Sequence, residues 1–294
     1  MLKLLILGNG QPVQMIINSF LKEDIKVVNV EQDRTLPDTQ QDEFAQYLSD
    51  KNIGLNTLNN LDDADYDIVL SMNYNRIIQV DKFSDKILVN LHMGLLPMYR
   101  GNNANAWAVI NGEKEVGYTL HEISDVLDGG AIYYKYAYNI GSDQSYFNAK
   151  NAINQDIIDN LGKVLIAITE GSILAEDQKS AEFVYCAKLR SSDGVVKDWN
   201  VDTELLLKKG YVFGKPLGTG LKFSFKGKSY DIGRIEPIQG FAQSIGAPGS
   251  IVYMFDNKMW VKTRDTAVQI SELECDSEAV VIAKDFKIGM RLNS

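Results

Sequence analysis

The chain has 294 residues, of which 45% are hydrophobic and 23% are charged, with a net charge of −9 and a pI of about 4.9. This composition excludes an intrinsically disordered chain, and the length suits a core of about 180 residues plus a smaller second domain. Because 13 basic and 11 acidic residues lie from residue 200 onward, the first 199 residues carry −11, and so acidic a surface is not expected to bind nucleic acid, whose phosphates need Lys and Arg.

The first predicted element is an apolar strand. Leu2–Leu7 is apolar except for Lys3 and ends at a glycine-rich turn, so it is too short for the apolar region of a signal peptide. No run of 18 apolar residues occurs in the sequence. The two cysteines, Cys186 and Cys275, form no CxxC pair and are expected to be free thiols. These features predict a cytoplasmic protein without a membrane partner.

Strand-like and helix-like segments alternate along the first part of the chain. The hydrophobic pattern predicts strands over 2–7, 25–30, 67–72 and 86–91, and helices over 13–20 and 42–51. Such alternation favours a doubly wound, mostly parallel α/β sheet. Ligands bind beyond the carboxyl ends of strands in such sheets, so a site is expected near Met72 and Asn90.

The second part of the chain has a different pattern. A long amphipathic helix is predicted over 146–169, an aperiodic linker over about 172–200 and a short helix over 202–209. Short candidate strands follow at 222–225, 230–235, 250–255, 259–263 and 267–273. They predict a small all-β domain of barrel type. The predicted organisation is a catalytic domain over 1–185, a linker over 186–205 and a β domain over 206–294.

The turn Gly8-Asn9-Gly10 is an incomplete version of the dinucleotide-binding GxGxxG motif, because position 13 is Val. Glu31 lies where such folds place an acidic residue, but acidic residues are common there. A tight strand-to-helix turn explains these residues better than NAD binding does.

The end of the strand predicted over 86–91 carries Asn90 and His92. Residues two apart in a strand point to the same side, so both should project into the crevice. Pro97 and Gly101 are expected to give the chain a rigid, sharp exit from this strand. A histidine buried in the core remains an alternative on these residues alone.

A glycine-rich loop follows the next predicted strand and contains Asp125 and Asp128. A carboxylate beside His92 is expected to raise the pKa of His92 and to stabilise its protonated form. Asn, His and Asp together suit acyl transfer, in which the His relays protons and the Asn donates to a developing oxyanion. No Ser or Cys nucleophile motif is present, which favours direct transfer. Metal binding by His92, His121 and the acids is an alternative whose spacing matches no common zinc pattern.

Several spaced motifs together resemble the 10-formyltetrahydrofolate-dependent formyltransferases. They are Asn90-Leu-His-x-x-Leu-Leu-Pro97-x-Tyr-Arg-Gly101, Trp107, Asn111-Gly112-Glu113, Gly117-x-Thr-Leu-His121 and Asp128-x-Gly130-x-Ile132. The resemblance runs from residue 1 to about 190 and continues weakly into the tail. It implies a Rossmann-like formyltransferase domain with a small C-terminal barrel of OB type, 10-formyltetrahydrofolate as co-substrate and no metal.

The resemblance also implies roles for individual residues. Asn90, His92 and Asp128 fall on the family's catalytic triad. Folate contacts fall on Asn73, Tyr74, Gly94, Leu95, Leu96, Pro97, Ser124, Asp125, Val126 and Leu127. Substrate contacts fall on Asn9, Tyr99, Arg100, Asn102 and Trp107. The family usually has Ser in place of Gly94, a departure expected to change a loop hydrogen bond and not the chemistry.

The sugar-nucleotide branch of the family fits this chain best. The acidic charge argues against a tRNA acceptor, and the extra β domain argues against the single-domain glycinamide ribonucleotide branch. The expected substrate is a UDP- or dTDP-linked 4-amino-4,6-dideoxyhexose, whose N-formylated product would enter a surface polysaccharide such as lipopolysaccharide O-antigen. A homodimer is expected. Two alternatives stay open: a macromolecular acceptor such as methionyl-tRNA or a carrier-bound amino acid, and a non-catalytic folate-binding module.

Overall fold

The computed structural model describes residues 1–20, 23–32, 37–55, 66–83, 85–141, 146–178, 182–214, 218–238 and 246–292. The chain forms two compact units. The first comprises Met1–Asn105, Glu115–Asn139 and Asn148–Ala187, and the second comprises Ala106–Lys114, Ile140–Phe147 and Lys188–Ser294. The domain ranges drawn from the sequence stay predictions.

The elements up to residue 187 include all the strands predicted for the first part of the chain. The strands are β1 (Leu2–Gly8), β2 (Ile25–Glu31), β3 (Gly54–Leu55), β4 (Ile68–Met72), β5 (Ile87–His92), β6 (Arg100–Gly101), β7 (Glu115–Glu122), β8 (Ile132–Asn139) and β9 (Tyr185–Cys186). The helices are α1 (Gly10–Phe20), α2 (Asp38–Asp50), α3 (Ala104–Asn111) and α4 (Tyr146–Thr169), with a 3-10 turn at Val80–Phe83. The bounds of α4 agree with the prediction.

The main sheet is mixed and rich in parallel pairs. Among the described residues its strand order is β3-β2-β1-β4-β5-β7-β8. The strands from β3 to β5 are parallel neighbours, whereas β7 is antiparallel to both β5 and β8. The order reverses at β1, with β2 and β3 on one side and β4 and β5 on the other. The predicted α/β sheet is therefore confirmed in its parallel-rich part.

The interior of this sheet explains the apolar runs in the sequence. All five residues of β4 are buried, and α1 buries Val13, Ile16, Ile17 and Phe20. Each such side chain stabilises the fold by about 1.5–3 kcal/mol relative to its exposed state. Both glycines of the first turn have local reasons: a Cβ at Gly8 would lie 2.3 Å from the carbonyl oxygen of Met72, and Gly10 has φ of 71°. A tight strand-to-helix turn accounts for both.

The second unit holds the predicted strands and two helices. They are β10 (Val195–Val196), β11 (Leu221–Phe225), β12 (Lys228–Pro237), β13 (Ile251–Phe255), β14 (Lys258–Lys262), β15 (Ala267–Cys275), β16 (Glu278–Ala279), α5 (Thr203–Phe213) and α6 (Ile282–Asp285), with a 3-10 turn at Ser191–Gly194. The strand order is β10-β11-β12-β15-β14-β13, and β16 pairs with β15. No pairing within the described ranges joins β13 back to β10 or β11, so a closed barrel of OB type is not confirmed.

An aromatic cluster forms much of the core of the second unit. Phe223 is fully buried, and its ring centre lies 5.3 Å from that of Tyr230 and 5.8 Å from that of Trp199. The aromatic side chains of Tyr253 and Phe255 lie outside this core. They are 46% and 38% exposed because they occupy the outward-facing positions of β13.

Candidate active site

Cross-strand pairing between β5 and β7 sets the position of four polar side chains. Asn90 lies opposite His121, and His92 lies opposite Thr119. Residues that face each other across antiparallel strands share a face, as do residues two apart in one strand. The two histidine rings therefore meet edge to face, with centres 6.2 Å apart.

Asp128 joins this group from the loop between β7 and β8. Its Oδ2 lies 3.5 Å from Nδ1 of His92, and its Oδ1 lies 3.5 Å from Nε2 of His121. The amide Nδ2 of Asn90 is 3.1 Å from Nε2 of His121 and 3.5 Å from Oδ1 of Asp128. The structure thus brings together the three residues predicted to be catalytic and adds His121 as a fourth.

The Asp128 loop is held by its backbone as well as by its carboxylate. Asp128 has φ of 50°, a left-handed conformation that costs a non-glycine residue about 1–2 kcal/mol. The backbone N–H of Gly101 donates to Oδ2 at 2.7 Å. A Cβ at Gly130 would lie 2.1 Å from the carbonyl oxygen of Glu122, so the loop can approach β7 only with glycine there. These constraints fix the carboxylate beside His92.

The hydrogen bonds of the histidines define their tautomers. Nε2 of His92 lies 2.8 Å from the carbonyl oxygen of Tyr99 and must donate, because a carbonyl can only accept. Nδ1 of His121 likewise donates to the carbonyl oxygen of Glu122 at 2.7 Å. Nδ1 of neutral His92 is then an unprotonated nitrogen facing Asp128, and Nε2 of neutral His121 accepts from Asn90. His92 can therefore take up a proton at Nδ1.

The electrostatics of the site test one expectation. Burial lowers the pKa of His92 below its ordinary value, although the charge of Asp128 acts in the opposite direction. The expected effect of the carboxylate is therefore confirmed in its direction, but desolvation outweighs it because His92 is only 6% exposed. Burial raises the pKa of Asp128, but the protonated forms of His121 and His92 and the N–H of Gly101 together hold that pKa below its usual range.

The segment predicted to bind folate, from Gly94 to Pro97, is tied to β7 and β8. Thr119 donates its hydroxyl to the carbonyl of Gly94 at 2.7 Å and accepts from the N–H of Leu96 at 3.1 Å. Lys135 donates to the carbonyl of Leu96 at 2.7 Å. The Leu96–Pro97 peptide bond is cis. The loop is thereby pre-positioned next to His92.

Gly94 departs from the family pattern for a steric reason. A Cβ there would lie 2.6 Å from Cβ of Ala104 and 2.7 Å from Nε2 of His92. A serine would need the backbone to shift, so the departure concerns space around the imidazole of His92 as well as a loop hydrogen bond.

The other predicted folate contacts lie at the carboxyl ends of neighbouring strands and in the Asp128 loop. Asn73 donates to Oδ1 of Asn9 at 3.4 Å, and the hydroxyl of Tyr74 donates to Glu31 at 2.9 Å. In the loop over 124–127, Val126 and Leu127 are 53% and 61% exposed. Exposed apolar side chains beside the carboxylate of Asp128 are suited to contact with a flat ring system.

The predicted substrate residues differ in their surroundings. Tyr99 and Arg100 are 7% and 6% exposed, whereas Asn102 is exposed. Asn9 is buried beside Asn73. Trp107 is partly buried and belongs to the second unit. Their role in substrate binding stays a prediction.

Sequence reasoning did not assign His121 to the catalytic group, and it missed Thr119 and Gln178. The sequence does indicate His121 and Thr119, because they are two apart in a predicted strand and must share a face. Gln178 carried no such signal, because it lies in a segment without periodicity. Within the described ranges, no group of three or more His, Cys, Asp and Glu side chains could hold a metal ion, and no described helix is long and apolar enough to cross a membrane.

A pair of imidazoles, an amide and a buried carboxylate, gathered where β5 pairs with β7, are chemically suited to acyl or proton transfer. The formyl transferase family matches residues 2–165, more than half of the chain, and the protein belongs to that family.

Similar proteins include enzymes with different acceptors. The chain is 27% identical over 204 residues to the methionyl-tRNA formyltransferase of Geobacter metallireducens, covering 69% of this chain and 63% of that protein. Over 70 residues it is 46% identical to the GDP-perosamine N-formyltransferase of Brucella melitensis, covering 23% of this chain and 27% of that one. The chain thus spans less than two thirds of the length of the methionyl-tRNA formyltransferases it matches.

The fold is also shared with a solved structure. The N-formyltransferase from Helicobacter canadensis, in complex with folinic acid and dTDP-3-aminofucose, superposes with a TM-score of 0.67 at 20% identity. The superposition covers 93% of this chain and 100% of that one. At this identity the likeness establishes the fold.

Proposed function

We propose that this protein transfers the formyl group of 10-formyltetrahydrofolate to the amine of a nucleotide-linked amino sugar. The observation that carries the transfer step is the arrangement of His92, whose Nε2 is committed to a carbonyl and whose Nδ1 faces Asp128 at 3.5 Å. Such an imidazole has one nitrogen available for protons and a carboxylate to stabilise its cation.

The chemistry follows from the neutral state of His92 in the free enzyme. The amine nitrogen bonds to the formyl carbon, and Nδ1 of His92 takes the proton that the amine loses. Asn90 donates to the oxyanion. This hydrogen bond replaces the longer of the two contacts of the Asn90 amide, the one to Asp128. The imidazolium returns its proton to N10 as the bond between N10 and the formyl carbon breaks, leaving tetrahydrofolate and the formamide.

The segments on either side of the catalytic group support binding of the donor. The backbone of residues 94–97, braced by Thr119 and Lys135, offers hydrogen-bonding groups in fixed positions. Val126 and Leu127 offer apolar contact for the pterin and benzoyl rings. The family assignment supports the same donor.

The charge and the fold of the chain support a nucleotide-sugar acceptor. The first 199 residues carry −11, which disfavours a polyanion such as tRNA and tolerates a small nucleotide. The Helicobacter canadensis structure, which holds a dTDP-linked amino sugar, shares the fold over nearly the whole of both chains. We infer a UDP- or dTDP-linked aminodeoxyhexose as acceptor, and a surface polysaccharide as the destination of the product.

The test is a direct acceptor screen. The protein is incubated with 10-formyltetrahydrofolate and dTDP-, UDP- or GDP-linked amino sugars, and formylated products are measured by mass spectrometry, with His92→Asn as the control. Formylation of one nucleotide sugar, lost in the control, supports the proposal. Formyl transfer to no nucleotide sugar refutes it, and tight folate binding without transfer to any acceptor in the screen favours a non-catalytic folate-binding module.

A methionyl-tRNA acceptor is the second candidate, because the relatives matched over two thirds of this chain include methionyl-tRNA formyltransferases. Initiator methionyl-tRNA in the same screen separates the two. Formylation of the tRNA and of no nucleotide sugar would establish the alternative.

A further inference from the structure

The side chain of Gln178 makes hydrogen bonds with three groups around the catalytic loop. Its amide Nε2 donates to the carbonyl oxygen of Asp128 at 2.9 Å and to that of Gly130 at 2.8 Å. Its Oε1 accepts from Nη2 of Arg100 at 2.7 Å. Both amide hydrogens are thus directed at the loop that carries the catalytic carboxylate, and the amide oxygen is directed at β6.

Arg100 is placed to hold Gln178. It is 6% exposed, and its guanidinium carbon lies 4.2 Å from the ring centre of Phe183. Among the described residues its Nε has no hydrogen-bond partner, so the amide oxygen of Gln178 is an important acceptor that partly replaces the hydration of a buried cation. A guanidinium committed in this way is poorly placed to bind the phosphates of a substrate.

The segment that carries Gln178 is itself anchored at both ends. Glu176 exchanges two backbone hydrogen bonds with Ile132, at 2.8 and 2.9 Å. Further along, β9 pairs in parallel with β6, so that Tyr185 lies beside Arg100 and Cys186 beside Gly101. Gly101 is the residue whose N–H holds the carboxylate of Asp128. Gln178 fixes the backbone of Asp128, while β6 fixes its side chain.

We propose that Gln178 is a positioning residue that keeps the carboxylate of Asp128 on Nδ1 of His92, and that Arg100 acts by holding Gln178. This inference rests on the proposed formyl transfer for its effect on turnover. Its effect on His92 can be measured without turnover, because the chain has only two histidines and each imidazole can be followed by NMR. The titratable groups that act on His92 are Asp128 and His121, and Cys186 lies near Asp128.

The experiment compares two substitutions at Gln178 with a matched control. Gln178→Met keeps the length and removes all three hydrogen bonds, whereas Gln178→Glu keeps the acceptor for Arg100 and removes both donors. Gln155→Met is the control, because Gln155 is exposed on α4 and donates to Asp159 in the same helix. Asp128→Asn sets the full effect of losing the carboxylate charge.

The first readout is the NMR titration of His92. Both Gln178 variants should titrate at lower pH than the wild type, by a fraction of the shift in Asp128→Asn, while Gln155→Met matches the wild type. The second readout is kinetic: kcat should fall by up to about 100-fold with KM for the folate little changed, since misplacing a catalytic group by about 1 Å costs on this order.

The outcomes separate the two proposals. A His92 titration unchanged in a folded Gln178 variant overturns the positioning role, whatever the kinetics show. If Gln178→Met does not fold, the same criterion applies to Gln178→Glu, which retains the contact to Arg100. Failure of the acceptor screen with a shifted titration overturns the proposed function and leaves the positioning role supported.

Discussion

Replacement of Asp128 by Asn tests the electrostatic logic of the site most directly. The two charged atoms lie 3.5 Å apart, and the side chains of His92 and Asp128 are 7% and 8% exposed, so solvent screens them little. At an effective dielectric constant of about 20, two unit charges at that separation attract by about 5 kcal/mol. One pKa unit corresponds to about 1.4 kcal/mol. Loss of this attraction should therefore lower the equilibrium constant for protonation of His92 by about three powers of ten.

The expected result is a kcat about 1000-fold lower, with the fold retained, because the amide oxygen of Asn can still accept the N–H of Gly101. The pH dependence has a defined sign. His92 must be neutral to accept a proton, so kcat/KM falls as the pH drops through its pKa, and loss of Asp128 moves that fall to lower pH.

The assay is the release of tetrahydrofolate with the acceptor identified in the screen, measured across pH, together with circular dichroism of the variant. A kcat within ten-fold of wild type, or an acid limb displaced to higher pH, would refute the reasoning. The variant His121→Phe keeps the carboxylate of Asp128 and removes one of its neighbours. Comparison of the two variants separates the effect of the lost charge from the effect of a lost neighbour.

Three further substitutions test other parts of the structure. Gly94→Ser should lower both Tm and kcat, because its Cβ would come within 2.7 Å of the His92 ring; a variant that matches wild type in both would contradict the steric account. Thr119→Val should weaken folate binding by about ten-fold with kcat nearly unchanged, since it removes two hydrogen bonds that brace residues 94–97; an unchanged Kd in a fluorescence titration would count against it. Phe223→Ala should cost about 3–5 kcal/mol of unfolding free energy in a urea titration, and a loss below about 1 kcal/mol would show that the aromatic cluster repacks.

The sequence predicts the elements with regular hydrophobic spacing well. The helix α4 buries Ala149, Ile153 and Ile157 on one face, which is the 3.6-residue pattern read from the sequence. The strand β8 was not predicted, although its alternation is regular: Tyr134, Tyr136 and Tyr138 are partly buried, and the residues between them are exposed.

The sequence predicts the residues of the candidate site better than it predicts their electrostatics. Asn90, His92 and Asp128 come together because strand alternation and a glycine-rich loop allow few other arrangements. The direction of the His92 pKa depends on how deeply the ring is buried, which no local pattern records. Gln178 acts across 50 residues of sequence on Asp128, so only the folded chain shows the contact.

The pairing of β5 with the antiparallel β7 limits where the sequence can accommodate insertions and deletions. Because side chains alternate along a strand, sliding β7 by one residue would turn Thr119 and His121 to the opposite surface of the sheet and remove both from His92. An insertion or deletion between the two strands is therefore tolerable only where the connecting segment absorbs it. Variation in loop length among descendants of this chain should accumulate outside that connection.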